Sequence, residues 1–285
     1  MAVRNNQERV GAVPSPDTPP VDLINQDTGA SQFSYVVPTE HVDIPSEGQF
    51  YPPEHPLHNQ TTVEIKYMTA KEEDILTSQA LLKKGVALDR LLQNILVDKS
   101  IKPDTLLMGD KNALLIASRI TGFGPDYPVN VTCAMCGTNA KETFDLNEAQ
   151  QIKPCDPQEG TSHVQGGIFF TSLPTTRANV EFRLLTGFEE RRMIVLSETK
   201  KKQNLPETPF TDQLRLIIHS VNGSNRPDHI NQFIDTLPTL DGRHLRKAFN
   251  SVSPDVNLKC AYSCDVCSHT EEVDLPLTAE FFWPG

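Results

Sequence analysis

The clearest pattern along the chain is a change of period. Residues Thr62-Val-Glu-Ile-Lys-Tyr67 alternate apolar and polar, which predicts a half-buried strand. Thr69-Ala-Lys-Glu72 follows as a capping box and predicts a helix running through Ile75, Leu76 and Leu81. A second helix is predicted from about Leu88 to Val97, with Leu88, Leu91, Leu92, Ile95 and Leu96 on one face. A third begins at Asp110 after Pro103, carries Leu114, Leu115 and Ile120, and ends at Gly122-Phe-Gly-Pro125. The stretch from Tyr127 to Leu146 then reads as a strand, a Cys-x-x-Cys turn and a strand back.

The same order recurs. Val180-Glu-Phe-Arg-Leu-Leu-Thr186 answers Val63-Glu-Ile-Lys-Tyr-Met-Thr69, and Thr186-Gly-Phe-Glu189 is again a capping box. Asp212 to Ile218 answers Asp89 to Ile95, and Asp241 sits where Asp110 sits. Pro254 to Leu258 answers Pro125 to Val129, and Glu272-Val-Asp-Leu275 answers Thr143-Phe-Asp-Leu146. Upstream, Gly167 to Pro174 reads as the counterpart of Gly48 to Pro52. Single matches of this kind are weak, but a shared order of strand, cap, helices and cysteine turn points to duplication. The spacing widens toward the cysteines, so insertions are expected among the helices of the second copy.

The predicted fold is therefore α+β, a tandem duplication of one module built from short strands, helices and a Cys-x-x-Cys hairpin. The first module spans 41–150 and the second 163–285. Residues 151–162, with Pro154, Pro157 and Gly160, read as the linker. Residues 1–40 are rich in Pro, Asn, Gln, Ser and Thr and lack apolar periodicity, so they are expected to be extended or disordered. If that arm orders on a partner, Phe33, Tyr35 and Val36 are its anchors.

Cys133-Ala-Met-Cys136 and Cys264-Asp-Val-Cys267 occupy equivalent places in the two copies. Four thiolates grouped two and two suit a tetrahedral structural zinc. The metal ligands are thus expected to be Cys133, Cys136, Cys264 and Cys267, with one zinc between the hairpins. The alternatives are a redox pair, which calls for a Cys-x-x-Cys at a helix start, or plain thiols. If the hairpins lie apart, Cys260, His269 and Cys155 are the candidate extra ligands.

Composition narrows the function. The 285-residue chain carries a net charge of −11, which argues against a broad nucleic-acid surface or an anionic membrane. The N-terminal sequence does not read as a signal peptide. Apolar runs are too short to span a bilayer, so the chain is expected on the cytoplasmic side, where cysteines stay reduced. The acidic run Glu72-Glu-Asp74 suits a helix start better than acid–base catalysis. Lys200-Lys-Lys202 reads as a solvated helix end, and His55 and His58 as solvated loop residues. Phosphate-binding and nucleophile-elbow motifs are missing from the sequence. The terminal Phe281-Phe-Trp-Pro284 either folds back onto the second module or docks on a neighbouring subunit.

Ile44-Pro-Ser-Glu-Gly-Gln-Phe-Tyr-Pro52, followed by Val63-Glu-Ile-Lys-Tyr-Met-Thr-Ala-Lys-Glu-Glu-Asp-Ile-Leu76, resembles the baseplate hub protein family of T-even-like contractile-tailed phages. The Met68 to Leu76 string is the most specific part, and the similarity runs through the first cysteine turn and more loosely through the second module. It implies a non-enzymatic structural or assembly component of the tail baseplate, with phage tail and baseplate proteins as partners. That protein would work in an oligomeric assembly, without nucleic acid or membrane. It would be found in the host cytoplasm during assembly and then in the virion tail. The zinc expectation rests on spacing alone. The competing class is a zinc-ribbon adaptor for nucleic acid, which predicts a basic, aromatic face. A cell-wall hydrolase is a third, and the sequence nominates no catalytic pair for it.

Overall fold

The computed structural model describes residues 37–275 and 279–282. Most of the expected N-terminal arm, including Phe33, Tyr35 and Val36, lies outside them, as do Trp283 and Pro284. β1 (Thr39–Asp43) lies antiparallel to β2 (Thr62–Lys66), with Val42 opposite Val63 and Glu40 opposite Ile65. The alternation read in the sequence is real: Val63 and Ile65 are buried and their neighbours are half-buried.

The first predicted helix is two helices, α1 (Ala70–Thr77) and α2 (Gln79–Lys83). Ser78 takes extended backbone between them, in keeping with the poor helix propensity of Thr77 and Ser78. The capping box at α1 is formed, with the Glu72 carboxylate accepting from the Thr69 amide at 2.9 Å and hydroxyl at 2.6 Å. α3 (Ala87–Ile95) buries Leu91, Leu92 and Ile95. α4 (Met108–Phe123) starts two residues ahead of Asp110. β3 (Asp126–Thr132) and β4 (Asn139–Asp145) make the first cysteine hairpin. A short α5 (Leu146–Ala149) leads into β5 (Gln150–Lys153).

The second copy opens with β6 (Thr161–Gln165), β7 (Ile168–Ser172) and β8 (Asn179–Arg183). Then come α6 (Gly187–Lys202), α7 (Pro209–Ile217) and β9 (Ile218–Val221). α8 (Pro227–Asp235) and α9 (Thr239–Val252) precede the second cysteine hairpin, β10 (Asp255–Ser263) and β11 (Thr270–Asp274). The sheet order is β6-β7-β8-β9, and β10 lies between β11 and β5.

Strand pairing corrects the upstream end of the repeat. β1–β2 matches β7–β8, because Thr39 faces Lys66 as Ile168 faces Arg183. Ile44-Pro-Ser46 therefore corresponds to Leu173-Pro-Thr175, and the loop containing Gly48 to Pro52 is an insertion in the first copy. A buried aspartate explains the match. Asp110 of α4 accepts from the Ser46 amide (2.9 Å), the Ser46 hydroxyl (2.6 Å) and Tyr51 (2.7 Å). Asp241 of α9 accepts from the amides of Thr175 (2.8 Å) and Thr176 (2.9 Å) and from the Thr176 hydroxyl (2.7 Å). In both copies a carboxylate staples the first strand turn to the helix that leads into the cysteine hairpin. The inserted loop also engages its histidines: His55 stacks on Tyr51 at 4.3 Å, and His58 bonds the Tyr51 carbonyl at 2.8 Å.

The two halves share one core. From Val37 onward the chain is one compact unit, and a single apolar cluster includes Leu91, Leu92 and Leu114 as well as Phe169, Phe182 and Leu245. Backbone crosses the repeat boundary, with Met108 N–H donating to Leu185 O (3.1 Å) and Gly187 N–H to Leu106 O (2.9 Å). Gly109 is obligatory there, since a Cβ would lie 2.1 Å from Pro254 O. The segment read as a linker is partly strand: β5 pairs with β10, and β6 begins at Thr161. The polar run 150–153 disguised this, because it lies at the edge of its sheet.

The described part of the aromatic tail reaches the first copy. Phe281 and Phe282 are buried, the Phe281 ring sits 5.1 Å from Tyr127, and its carbonyl accepts from Arg119 Nε at 3.0 Å. Arg119, fully buried on α4, also donates to the carbonyls of Gly124 (2.6 Å) and Asp126 (3.1 Å).

Candidate metal centre

Each cysteine pair heads a hairpin, and the turn chemistry is the same in both. The Cys133 amide donates to Thr138 O (3.0 Å) and the Gly137 amide to Cys133 O (2.9 Å). In the second copy Cys264 N–H donates to His269 O (2.9 Å) and Ser268 N–H to Cys264 O (2.8 Å). The residue after the second cysteine has positive φ in each, 71° at Gly137 and 55° at Ser268. That left-handed residue curls the turn so that both sulfurs face one side.

The hairpins meet at these turns. Cys133 Sγ lies 3.7 Å from Cys267 Sγ, and Cys136 Sγ lies 3.6 Å from Cys264 Sγ. All four sulfurs fall within 4.8 Å of one another. With Zn–S bonds of about 2.3 Å, the edge of a tetrahedral ZnS₄ unit is about 3.8 Å, which the two cross-hairpin pairs match, and the donors are the right ones. Cys133 and Cys264 are buried while Cys136 and Cys267 face outward.

Electrostatics favour thiolate at part of the cage. The amides of Cys267 and Val266 pull the Cys264 thiol well below its usual range. The Thr138 hydroxyl and amide lower Cys136 likewise. Cys267 accepts from the His269 amide, but burial and the three nearby thiols outweigh that and push it up. Four thiols this close do not all ionise without a cation among them.

Two supporting residues escaped the sequence reading. Tyr262 is buried beside the cage, and its hydroxyl helps lower the Cys264 thiol. It packs with Val131 in a small apolar cluster separate from the main core. Glu271 of β11 accepts from the Ala134 amide at 3.2 Å, linking the second hairpin to the first turn. The signal for Tyr262 was its place two residues before Cys264, on the same strand face. Glu271 gave no such signal, because its partner is a backbone amide of the other copy. Cys155, Cys260 and His269 are not in the cage; burial raises both extra thiols.

The other charged motifs are structural in place. Glu72 caps α1. Lys200 is not solvated, for it pairs with Asp212 at 2.5 Å; the chain folds back from α6 to α7 and brings that carboxylate to it.

A family model for the T4 bacteriophage base plate protein matches residues 38–283. The chain belongs to that family. No curated protein and no solved structure matches it. Membership of the T4 base plate protein family makes this a phage baseplate protein with a structural role, and other tail and baseplate proteins are its partners. The match covers both cysteine hairpins. Among the described residues, no helix is long and apolar enough to cross a membrane.

Proposed function

We propose that this chain is a non-enzymatic component of the baseplate hub, acting through protein–protein contacts, in which one structural zinc holds the two cysteine hairpins together. The observation that carries the reading is the meeting of four sulfurs from two repeats at tetrahedral spacing. Cys133, Cys136, Cys264 and Cys267 would hold the metal, which when bound supplies cross-linking without redox chemistry. The protein's own groups prepare the cage: turn amides aim at the sulfurs, Tyr262 supports Cys264, and the buried pair excludes water from one side.

The two copies already share a core, so the zinc is not their only joint. Its role is to order the hairpin tips, where the apolar cluster is small and both turns expose apolar side chains, Met135 and Val266. Ordered tips would present a fixed surface to neighbouring tail subunits. The chain would meet those subunits in the host cytoplasm during assembly and stay with them in the virion tail.

Purified protein is expected to carry about one zinc per chain, given a closed four-thiolate site. Cys133→Ser with Cys264→Ser is expected to abolish that metal and speed amide exchange in β3–β4 and β10–β11, leaving α3 and α4 protected. Metal-free wild-type protein with the same melting temperature as the double variant would sink the zinc assignment.

A further inference from the structure

Duplication gives an internal template for what a strand edge in this fold receives. In β1, Pro38 O accepts from Tyr67 N–H at 2.9 Å and Ile44 N–H donates to Thr61 O at 3.0 Å. Backbone groups alternate sides along an antiparallel strand, so Thr39, His41 and Asp43 turn theirs away from β2. The matching positions of β7 are Ile168, Phe170 and Ser172, and these turn toward β6, where Ser162 lies opposite Phe170. Among the described residues, β1 pairs only with β2. Among the described residues, the first copy thus leaves an edge unpaired where the second copy has a strand.

The difference has a local cause. β6 enters β7 through Gly166-Gly167, and Gly166 has a φ of 50°. Val37-Pro38 stands in that place in the first copy, and neither residue suits the positive φ of the tight turn.

The inward positions add a chemical preference. Phe169 of β7 faces His163 of β6, with ring centres 5.1 Å apart. The residue equivalent to Phe169 is Glu40, whose Oε1 is buried with no hydrogen-bond partner among the described residues. Asp43 adds a second negative charge to the strand. A strand laid along β1 as β6 lies along β7 would bring a side chain opposite Glu40, within reach of that oxygen.

We propose that the outer edge of β1 receives an extended segment of another tail polypeptide, paired antiparallel as β6 pairs with β7, with a lysine or arginine opposite Glu40. This is strand addition at a sheet edge, in which main-chain bonds hold the segment and one charged pair sets its register. The proposal rests on baseplate membership and is independent of the metal.

Hydrogen exchange on the full chain, alone and within tail assemblies, tests it. Expected are fast-exchanging amides at Thr39, His41 and Asp43 in the isolated protein, slowed by about tenfold or more in the assembly. Ile168 and Phe170 should be slow in both. His41→Pro removes an amide that no other described residue uses, so its melting temperature should match the wild type, while incorporation into tails falls by about tenfold or more. Glu40→Gln should keep the fold and weaken incorporation less. Slow exchange in the isolated chain, protection that grows with its own concentration, or wild-type incorporation of His41→Pro would each overturn the proposal. So would an edge that stays fast-exchanging in the assembly, as an edge kept free by its own charges would. If the chain is absent from every tail assembly, the proposed function fails with it.

Discussion

At the residue scale the metal cage shows how few side chains carry the chemistry and how many prepare it. Cys264 is drawn toward thiolate by two amides of its own turn and by a tyrosine. Tyr262 has no counterpart hydroxyl in the first copy, where Val131 stands, so the two halves of the cage are chemically unequal. Removing an outer partner of a metal ligand typically costs about 10–100-fold in affinity. Tyr262→Phe keeps the packing and deletes only the donor. It is expected to lower zinc affinity within that range in a chelator competition, with little change in the metal-loaded melting temperature. Unchanged affinity would show that the hydroxyl plays no part.

At the element scale, the buried aspartates at the starts of α4 and α9 do the same mechanical work under different electrostatics. Burial raises the Asp241 carboxyl, but the Thr176 hydroxyl and the Thr175 and Thr176 amides outweigh it and hold the group below its ordinary range. For Asp110 burial wins, with Asp255 adding to it, and the carboxyl is raised despite Ser46 and Tyr51. The signs differ accordingly. A lowered carboxyl stabilises the fold above its unfolded pKa, and that contribution is lost as pH falls through the folded value. A raised one stabilises at lower pH and loses its contribution as pH rises through the folded value. Asp241→Asn is therefore expected to flatten the fall in melting temperature below about pH 4, relative to wild type. Parallel curves for the two proteins would refute this account of the staple.

On the scale of the whole molecule, an ion cluster adds to the contacts between the two halves. Lys111 of α4, with a side chain only 5% exposed, reaches Asp89 of α3 at 2.7 Å and Glu190 of α6 at 2.5 Å. Arg191 of α6 pairs with Asp89 at 2.7 Å and with Asp104. Burial raises Asp89, and Lys111 and Arg191 overcome it and hold the group low. Removing one member of a buried pair leaves a charge without its partner and costs about 3–5 kcal/mol. Because Glu190 is part-exposed, Lys111→Met is expected near the lower end, about 3 kcal/mol, in urea unfolding. A loss under about 1 kcal/mol would place the cluster with ordinary surface pairs.

What the sequence by itself determined is what local chemistry encodes. The strand at Thr62, both capping boxes, the apolar face of α3 and the two Cys-x-x-Cys turns depend on residues a few positions apart, and period and spacing reveal them. The recurring order of strand, cap, helices and cysteine turn was legible too, because it is written in local signals. Tertiary structure alone decided the rest. Strand pairing moved the repeat match upstream to Ile44 and Leu173, because the register of β1–β2 and β7–β8 lies in hydrogen bonds between distant segments. The polar run at β5 became a strand only because β10 was there to pair with it. The aromatic tail went to the first copy because Arg119 and Tyr127, some 160 residues earlier, offered an N–H donor to the Phe281 carbonyl and a ring to pack on. The cysteines stand between these cases: their spacing named the donors, and only the meeting of two hairpins set four sulfurs at the distances one metal ion requires.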